Sequence, residues 1–245
     1  MSDEPIPAAT LVLVRDRAAG SPELLMVERA PGMAFAGGAL VFPGGRIDEA
    51  DKIGAAELAD GAARVAAIRE TIEETAIPVG LQPLPSAEQA LAMQSALLAD
   101  RPFAEVLGHA ITLDLGALTP LARWLPNFHV TRRFDTLFFI ARAPPGDWQA
   151  NVIPGECSGA FWITAAEALE RERSGDARLI FPTRRNLERL ALHDSFDAVR
   201  ADATAHPIEP ITPWVEEHDE ERFILIPDHL GYPVTREKLD GLWRG

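Results

Sequence analysis

Short blocks of apolar residues predict several β-strands along the chain. Mostly apolar segments at residues 8–14 and 134–143, the second of which contains the apolar run 137–140, are typical of buried strands. The run at residues 23–29 follows the first after a short polar connection, so the first two strands are expected to form a hairpin. A further strand is predicted at residues 160–163.

Other blocks repeat their apolar residues at helical spacing. Val65, Ile68 and Ile72 form a stripe that predicts a helix over residues 61–76, and a proline and a glycine soon afterwards end it. Thr164 is predicted to cap the start of another helix. This helix covers residues 165–173, and three further helices are predicted at residues 86–100, 102–109 and 184–193.

The order of these elements predicts an α/β fold with a mixed β-sheet between helices. We expect one domain over residues 1–205, with a helical insertion at about residues 85–110. Residues 206–245 contain five prolines and only short strand candidates. This predicts a C-terminal arm that packs on the domain or is exchanged with a partner, and a homodimer is one arrangement that this would allow.

Composition and charge narrow the class of protein. Of the 245 residues, 47% are hydrophobic and 24% are charged, which is typical of a globular chain. The 37 acidic residues exceed the 23 basic residues, for a net charge of -14, and this argues against a nucleic-acid or basic membrane-surface protein. It does not exclude an anionic small molecule, because a bound metal ion inverts the local field.

Other sequence features suggest a cytoplasmic protein. Cys157 is the only cysteine, so the chain has no intrachain disulfide. No apolar run approaches the roughly 20 residues that a membrane helix needs. The acidic start of the chain lacks the basic segment of a secretion signal.

Three glutamates on the predicted helix over residues 61–76 carry the clearest chemical signal. Glu70, Glu73 and Glu74 share one helix face, where their charges repel, and a divalent cation such as Mg²⁺ or Mn²⁺ removes that conflict. Taken alone, they also fit an ordinary solvated helix face. The segment at residues 42–45 ends in two glycines, which allow close backbone approach, and this favours a site for a diphosphate and a metal.

This set of residues resembles the sequence box of the Nudix hydrolase family. The box consists of a Gly, five residues, a Glu, seven residues, and then Arg-Glu-apolar-x-Glu-Glu-x-Gly-apolar. In this chain Gly45 begins it and residues 69–77 end it. The departures from the pattern are Asp51 in place of the first Glu, a spacer of 17 residues at 52–68, Thr71 at an apolar position, and Ala76 in place of Gly.

The resemblance implies the Nudix fold and cleavage of a diphosphate bond in a nucleoside diphosphate derivative. It implies that Glu70, Glu73 and Glu74 are ligands of Mg²⁺ or Mn²⁺. It also implies that Arg69 orients a neighbouring Glu through a salt bridge, and that Gly45 presents a backbone carbonyl to the metal.

A narrower resemblance concerns the substrate. Residues 38–45, 132–139 and 181–183 resemble a branch of the family that has an inserted box and includes coenzyme A diphosphatases. Ala34 stands where the full coenzyme A motif has an Arg. Coenzyme A or acyl-coenzyme A is therefore the leading substrate. An ADP-ribose or NADH type pyrophosphatase and a nucleotide sensor without catalytic activity remain alternatives.

The general base is sought among the acidic residues. Glu156 is the candidate, because it lies in a loop just before the strand predicted at residues 160–163. Glu73 or Glu74 would be an alternative base while partly engaged with metal. An ordinary surface position is an equally good interpretation of Glu156.

Arginines are the candidates for binding substrate phosphates. Residues 121–142 contain four arginines and one acid, Asp135, and this local net charge of +3 predicts a patch that attracts anions. An alternative is that Arg133 and Asp135, two apart on a strand, pair with each other. Trp124 is expected either to stack on a base or to lie in the core. The candidate substrate-binding residues are Arg29, Arg46, Arg132 and Arg133.

Overall fold

A computed structural model describes residues 4–32, 36–53, 55, 58–126, 133–153, 155 and 157–239. The strands are β1 Ile6–Arg15, β2 Glu23–Arg29, β3 Leu40–Val41, β4 Gly44–Arg46, β5 Leu81–Gln82, β6 Thr112–Leu113, β7 Thr119–Trp124, β8 Phe134–Arg142, β9 Cys157–Thr164, β10 Pro210–Ile211, β11 Trp214–His218, β12 Glu221–Leu225 and β13 Arg236–Lys238. The α-helices are α1 Gly61–Thr75, α2 Ala87–Leu97, α3 Phe103–Leu107, α4 Ala165–Ser174, α5 Phe181–Leu190 and α6 Phe196–Ala205.

An eight-stranded mixed sheet forms the centre of the fold, in the order β10-β7-β8-β1-β2-β3, with β4 beside β1 and β9 beside β2. β1 runs parallel to β8 from Ile6 to Val14. On its other side, β1 pairs with β2 only at Val14 and Arg15, so the predicted hairpin is present but short. The first half of β1 instead pairs with β4 on that side.

Both faces of this sheet are covered by helices, as predicted. Along β1, Leu11 and Leu13 point to one side and Val12 and Val14 to the other, because successive side chains of a strand alternate. Helices α1, α2 and α3 pack on the first side, and α4, α5 and α6 pack on the second. The sheet therefore separates two apolar cores.

Helix α1 shows how the departures from the family pattern are accommodated. The predicted stripe of Val65, Ile68 and Ile72 is buried against the sheet. Thr71 is also fully buried, and its hydroxyl donates to the carbonyl of Ala67 at 2.7 Å, so no polar group is left unpaired. Ala76 ends the helix with φ of 56°, the left-handed conformation that glycine adopts at least cost.

The remaining helices agree with the sequence with one exception. The inserted helices α2 and α3 are present, and Thr164 caps α4 by accepting from the amide of Glu167. Helix α6 was not predicted, although Phe196 and Val199 on its buried face lie three residues apart. No helix within the described ranges is both long and apolar enough to cross a bilayer.

The C-terminal segment forms strands rather than only an extended arm. β10 pairs in parallel with β7, and β11, β12 and β13 form an antiparallel sheet of their own. Ile224, Ile226 and Leu230 are buried in the same core as Trp124. The segment therefore packs on its own chain.

Trp124 occupies the core position that was one of its two interpretations. It is 1% exposed, and its Nε1 donates to the hydroxyl of Tyr232 at 3.1 Å. That hydroxyl donates in turn to Oδ1 of Asn186 at 2.8 Å. Burial raises the pKa of Tyr232, so the hydroxyl keeps its proton.

We expect Tyr232→Phe to lower the free energy of unfolding by about 2 kcal/mol, because it leaves the buried polar groups of Trp124 and Asn186 without a partner. Urea unfolding measures this change. Trp214→Phe serves as the control, because Trp214 is 41% exposed. Equal stability of the Tyr232 variant and the unaltered protein would contradict this account of the C-terminal segment.

Candidate active site

The candidate site lies where α1 crosses β4. The amide of Gly44 donates to Oε2 of Glu74 at 3.1 Å. A Cβ atom placed on Gly45 would lie 2.4 Å from the carboxylate carbon of Glu70, so only glycine allows this carboxylate to approach the strand. The carboxylate face of α1 is therefore packed against the glycine pair.

The glycine pair belongs to strand β4. Gly44 and Gly45 pair with Thr10 and Ala9 of β1. A Cβ atom on Gly44 would lie 2.4 Å from the carbonyl oxygen of Ala9. The need for glycine here comes from two close approaches, one to β1 and one to α1.

Arg69 is the centre of the site's ion pairs. Its Nη1 donates to Glu70 Oε1 at 2.9 Å and to Glu73 Oε2 at 3.3 Å. Its Nη2 donates to the backbone carbonyl of Arg46 at 3.0 Å. Hydrogen bonds on several sides hold the guanidinium in place, and Arg69 makes the salt bridge to a neighbouring Glu that the resemblance implies.

Asp51 is the partner of Arg69 whose importance was least evident from the sequence. Its carboxylate is 1% exposed and accepts from Nε and Nη2 of Arg69 at 2.9 and 3.0 Å. It also accepts from the amide of Asp48 at 2.8 Å. Its place six residues after Gly45 was the only signal in the sequence that connected Asp51 with the site. The long spacer after Asp51 does not remove it from the site.

Burial sets the protonation of this cluster. It raises the pKa of Glu70 from 4.5 to about 7, against the opposing effect of the Arg69 charge, and the negative charge of Glu73 adds to the rise. Burial also disfavours the charged form of Arg69, but hydrogen bonds and charge from Asp51 and Glu70 outweigh it and raise the pKa of Arg69. The site thus contains a fixed cation and a carboxylate that resists ionisation.

The carboxylates fit a hard cation, although they contact other groups in this arrangement. In the part of the chain that the structure describes, no three His, Cys, Asp or Glu side chains form a cluster ready to hold a metal ion. Glu70 and Glu73 contact Arg69, and Glu74 contacts the amide of Gly44. Carboxylate oxygens beside the glycine backbone are nevertheless the donor set that Mg²⁺ and Mn²⁺ prefer.

Arg29 is the predicted phosphate ligand that lies at the site. Its Nη1 is 4.0 Å from Glu74 Oε1, and its side chain is 19% exposed. Its Nε is buried and has no hydrogen-bond partner among the described residues. A buried donor without a partner is costly, and a ligand oxygen would satisfy it.

Of the other four predicted site residues, the structure describes Arg46 and Arg133. Arg46 is exposed at the end of β4, and its carbonyl binds Arg69. Arg133 is half-buried just before β8, where its carbonyl accepts from the amide of Ile6. Arg132 and Glu156 lie outside the described residues.

The predicted arginine patch over residues 121–142 is wrong as a single surface. Arg123 makes a two-bond ion pair with Asp135 across β7 and β8, so the one acid of the segment is bound by an arginine of the neighbouring strand. Arg142 contacts Asp16 and Asp197. Because a strand rises about 3.3 Å per residue, Arg142 lies roughly 26 Å along β8 from Phe134.

Comparison with known proteins finds similar folds. No protein-family model matches the chain. The fold is similar to the crystal structure of a NUDIX hydrolase from Alicyclobacillus acidocaldarius, with 28% identity, coverage of 81% of this chain and 96% of that one, and a TM-score of 0.71. A NUDIX domain of Shewanella oneidensis NrtR complexed with ADP ribose is more distant, with 15% identity, coverage of 76% and 86%, and a TM-score of 0.47. The chain therefore has the Nudix fold, and the first of these similarities supports a place in the Nudix family.

The raised pKa of Glu70 predicts how the free energy of unfolding of the metal-free protein depends on pH. Its folded pKa of about 7 lies above the model value of 4.5. The stability that Glu70 contributes is therefore fully present below the lower value and is lost as pH rises through the upper one. In EDTA at about pH 8, Glu70→Gln should raise the free energy of unfolding by up to about 3 kcal/mol, since one pKa unit corresponds to about 1.4 kcal/mol.

The same variant should differ from the unaltered protein by less than about 1 kcal/mol at about pH 5, where folded Glu70 is already protonated. Urea unfolding at the two pH values measures both differences. Glu49→Gln is the control, because the Glu49 side chain is 88% exposed. A change of the same size at both pH values would rule out the raised pKa.

Proposed function

We propose that the chain is a metal-dependent hydrolase that cleaves a diphosphate bond in a nucleoside diphosphate derivative. The observation that carries this proposal is the gathering of Asp51, Glu70 and Glu73 around Arg69, with Glu74 bound to the Gly44 amide. The Nudix fold supports it, and so does the 28% identity to a NUDIX hydrolase.

Three side chains and one backbone group would hold the metal. Glu70, Glu73 and Glu74 would bind Mg²⁺ or Mn²⁺ together with the carbonyl of Gly45. The bound metal would neutralise diphosphate oxygens and make water a better nucleophile. Arg69 does not touch the substrate in this proposal; it keeps the carboxylates against β4.

Arginines would bind and orient the diphosphate. Arg29 would donate to a phosphate oxygen beside Glu74 through its Nε, for which the described part of the chain supplies no acceptor. Arg46 is exposed next to the glycine pair, where its cation would meet a further phosphate. Arg132 and Arg133 are assigned the same role on the strength of their sequence positions.

A carboxylate would take the proton of the attacking water. Glu156 is the proposed base, because it follows Asn151, which is anchored to α1, and precedes Cys157, which pairs with Arg29. A base must lie within hydrogen-bond reach of the water. Glu73 and Glu74 are the alternatives.

Coenzyme A or acyl-coenzyme A is the proposed substrate. The proposal is supported by the resemblance of residues 38–45, 132–139 and 181–183 to the branch that includes coenzyme A diphosphatases. Phe181 packs edge-on against Trp124 in the core, with ring centres 5.9 Å apart. Phe181 is therefore a core residue, and we do not expect it to contact the substrate.

The proposed activity is tested by hydrolysis of coenzyme A, acyl-coenzyme A, ADP-ribose, NADH and dinucleoside polyphosphates with Mg²⁺ or Mn²⁺. We expect turnover of the coenzyme A compounds, and a loss of at least about tenfold in kcat for Glu73→Gln and for Glu74→Gln. Glu49→Gln is the exposed control. Full activity of both site variants would contradict the assigned metal site, and turnover of another panel member alone would replace coenzyme A.

Arg29 provides a separate test of phosphate binding. Arg29→Ala should raise KM by about 10- to 100-fold, because a hydrogen bond to a charged group contributes about 1.5–3 kcal/mol. Steady-state kinetics measure this change. Arg173→Ala is the matched control, since the Arg173 side chain on α4 is 70% exposed. An unchanged KM for Arg29→Ala would remove Arg29 from the substrate site.

A further inference from the structure

The inserted helix α2 places one amide side chain against the end of α1. Gln94 is 1% exposed and lies between the buried residues Met93 and Leu97. Its Nε2 donates to the backbone carbonyls of Glu73 and Asn151 at 3.0 and 2.7 Å. Its Oε1 accepts from Nδ2 of Asn151 at 2.6 Å. Both donors of the amide are used, as its burial requires.

These hydrogen bonds satisfy the C-terminal end of α1. The last carbonyls of a helix have no partner within the helix itself. Gln94 binds the carbonyl of Glu73, and the amide of Asn151 donates to the carbonyl of Thr75 at 2.8 Å. The end of α1 is thus held by two other parts of the chain, the helical insertion and the segment that leads into β9.

The same end of α1 carries the carboxylates of the candidate site. The side chain of Glu73 binds Arg69, and that of Glu74 binds the amide of Gly44. A displacement of the last turn would move both side chains relative to β4. The segment that starts at Asn151 is also anchored beside the site at its other end, because Cys157 pairs with Arg29.

We propose that Gln94 is a positioning residue for hydrolysis. It holds the last turn of α1 and Asn151 in one arrangement, so that Glu73 and Glu74 keep the geometry that the reaction needs. This inference rests on the proposed function and deepens it. It gives the helical insertion a part in the reaction beyond packing.

Three variants and one control test the role of Gln94 in turnover. Gln94→Ala should lower kcat by about 10- to 100-fold, the range that is typical when a group supporting metal ligands is removed. Asn151→Ala should lower kcat by a smaller factor, because it removes only the bond from Nδ2 to Gln94 and leaves the backbone hydrogen bonds of Asn151 in place. KM should change by less than about threefold, because neither residue is proposed to touch substrate. The double variant should lose no more activity than Gln94→Ala, since both changes break one linkage.

Gln89→Ala is the matched control on the same helix. Gln89 caps the other, exposed end of α2 by accepting from the amide of Ser86 at 2.8 Å. This variant should keep its kcat. An equal loss of kcat in the Gln89 and Gln94 variants would show that any damage to α2 has this effect, and would overturn the proposal.

Hydrogen exchange of the Asn151 amide in the metal-free protein provides a readout that does not need activity. It should be about tenfold faster in Gln94→Ala than in the unaltered protein or in Gln89→Ala. Faster exchange with unchanged kcat would reduce Gln94 to a structural residue and overturn the proposal. Unchanged exchange would overturn it as well. If Gln94→Ala does not fold, Asn151→Ala carries the kinetic test, because Asn151 is exposed.

The failure of the proposed function would be distinguishable from a failure of this inference. An unaltered protein that hydrolyses no member of the substrate panel contradicts the function. Titration with Mn²⁺ then tests Gln94 alone, with a dissociation constant about 10- to 100-fold weaker expected for Gln94→Ala. Equal constants in the variant and the unaltered protein would overturn the positioning role.

Discussion

The candidate site depends on one buried guanidinium that serves several acceptors at once. Arg69 is 11% exposed and binds the carboxylates of Asp51, Glu70 and Glu73 as well as the carbonyl of Arg46. The planar guanidinium has five N–H donors, so it can meet acceptors in different directions, which a lysine ammonium cannot do in the same geometry. Without this cation the carboxylates would repel one another beside β4.

The same arrangement explains why the pKa of Glu70 lies near neutral pH. Arg69 compensates the nearby carboxylates only in part, and burial leaves the pKa of Glu70 at about 7. A group whose charged form is disfavoured by its surroundings is typical of functional positions, which are maintained at some cost in stability. Under the proposed function, a divalent cation supplies the remaining positive charge.

The sequence predicted those features that depend on local spacing. The helix α1, its buried stripe and its carboxylate face follow from residues three and four apart, and Thr164 caps α4 through a neighbouring turn. The contact between Asp51 and Arg69 depends on how a spacer of 17 residues folds back, which local spacing does not determine.

The features that the sequence did not predict have a related cause. Asp135 binds Arg123 because β7 and β8 are antiparallel neighbours, and the register between two strands was not known from the sequence. The arginine patch was inferred from a count along the chain, whereas an extended strand separates its ends in space. The small C-terminal sheet was missed because its strands are only three to five residues long.

The pairing of distant segments also has a consequence for the order in which the chain can fold. β1 is made first, but its parallel partner β8 ends at Arg142. The end of α1 finds its partners only when Gln94 and Asn151 are present. Contacts of such long sequence separation are entropically costly to form early. During synthesis on the ribosome, the last turn of α1 can therefore be fixed only after more than half of the chain has emerged.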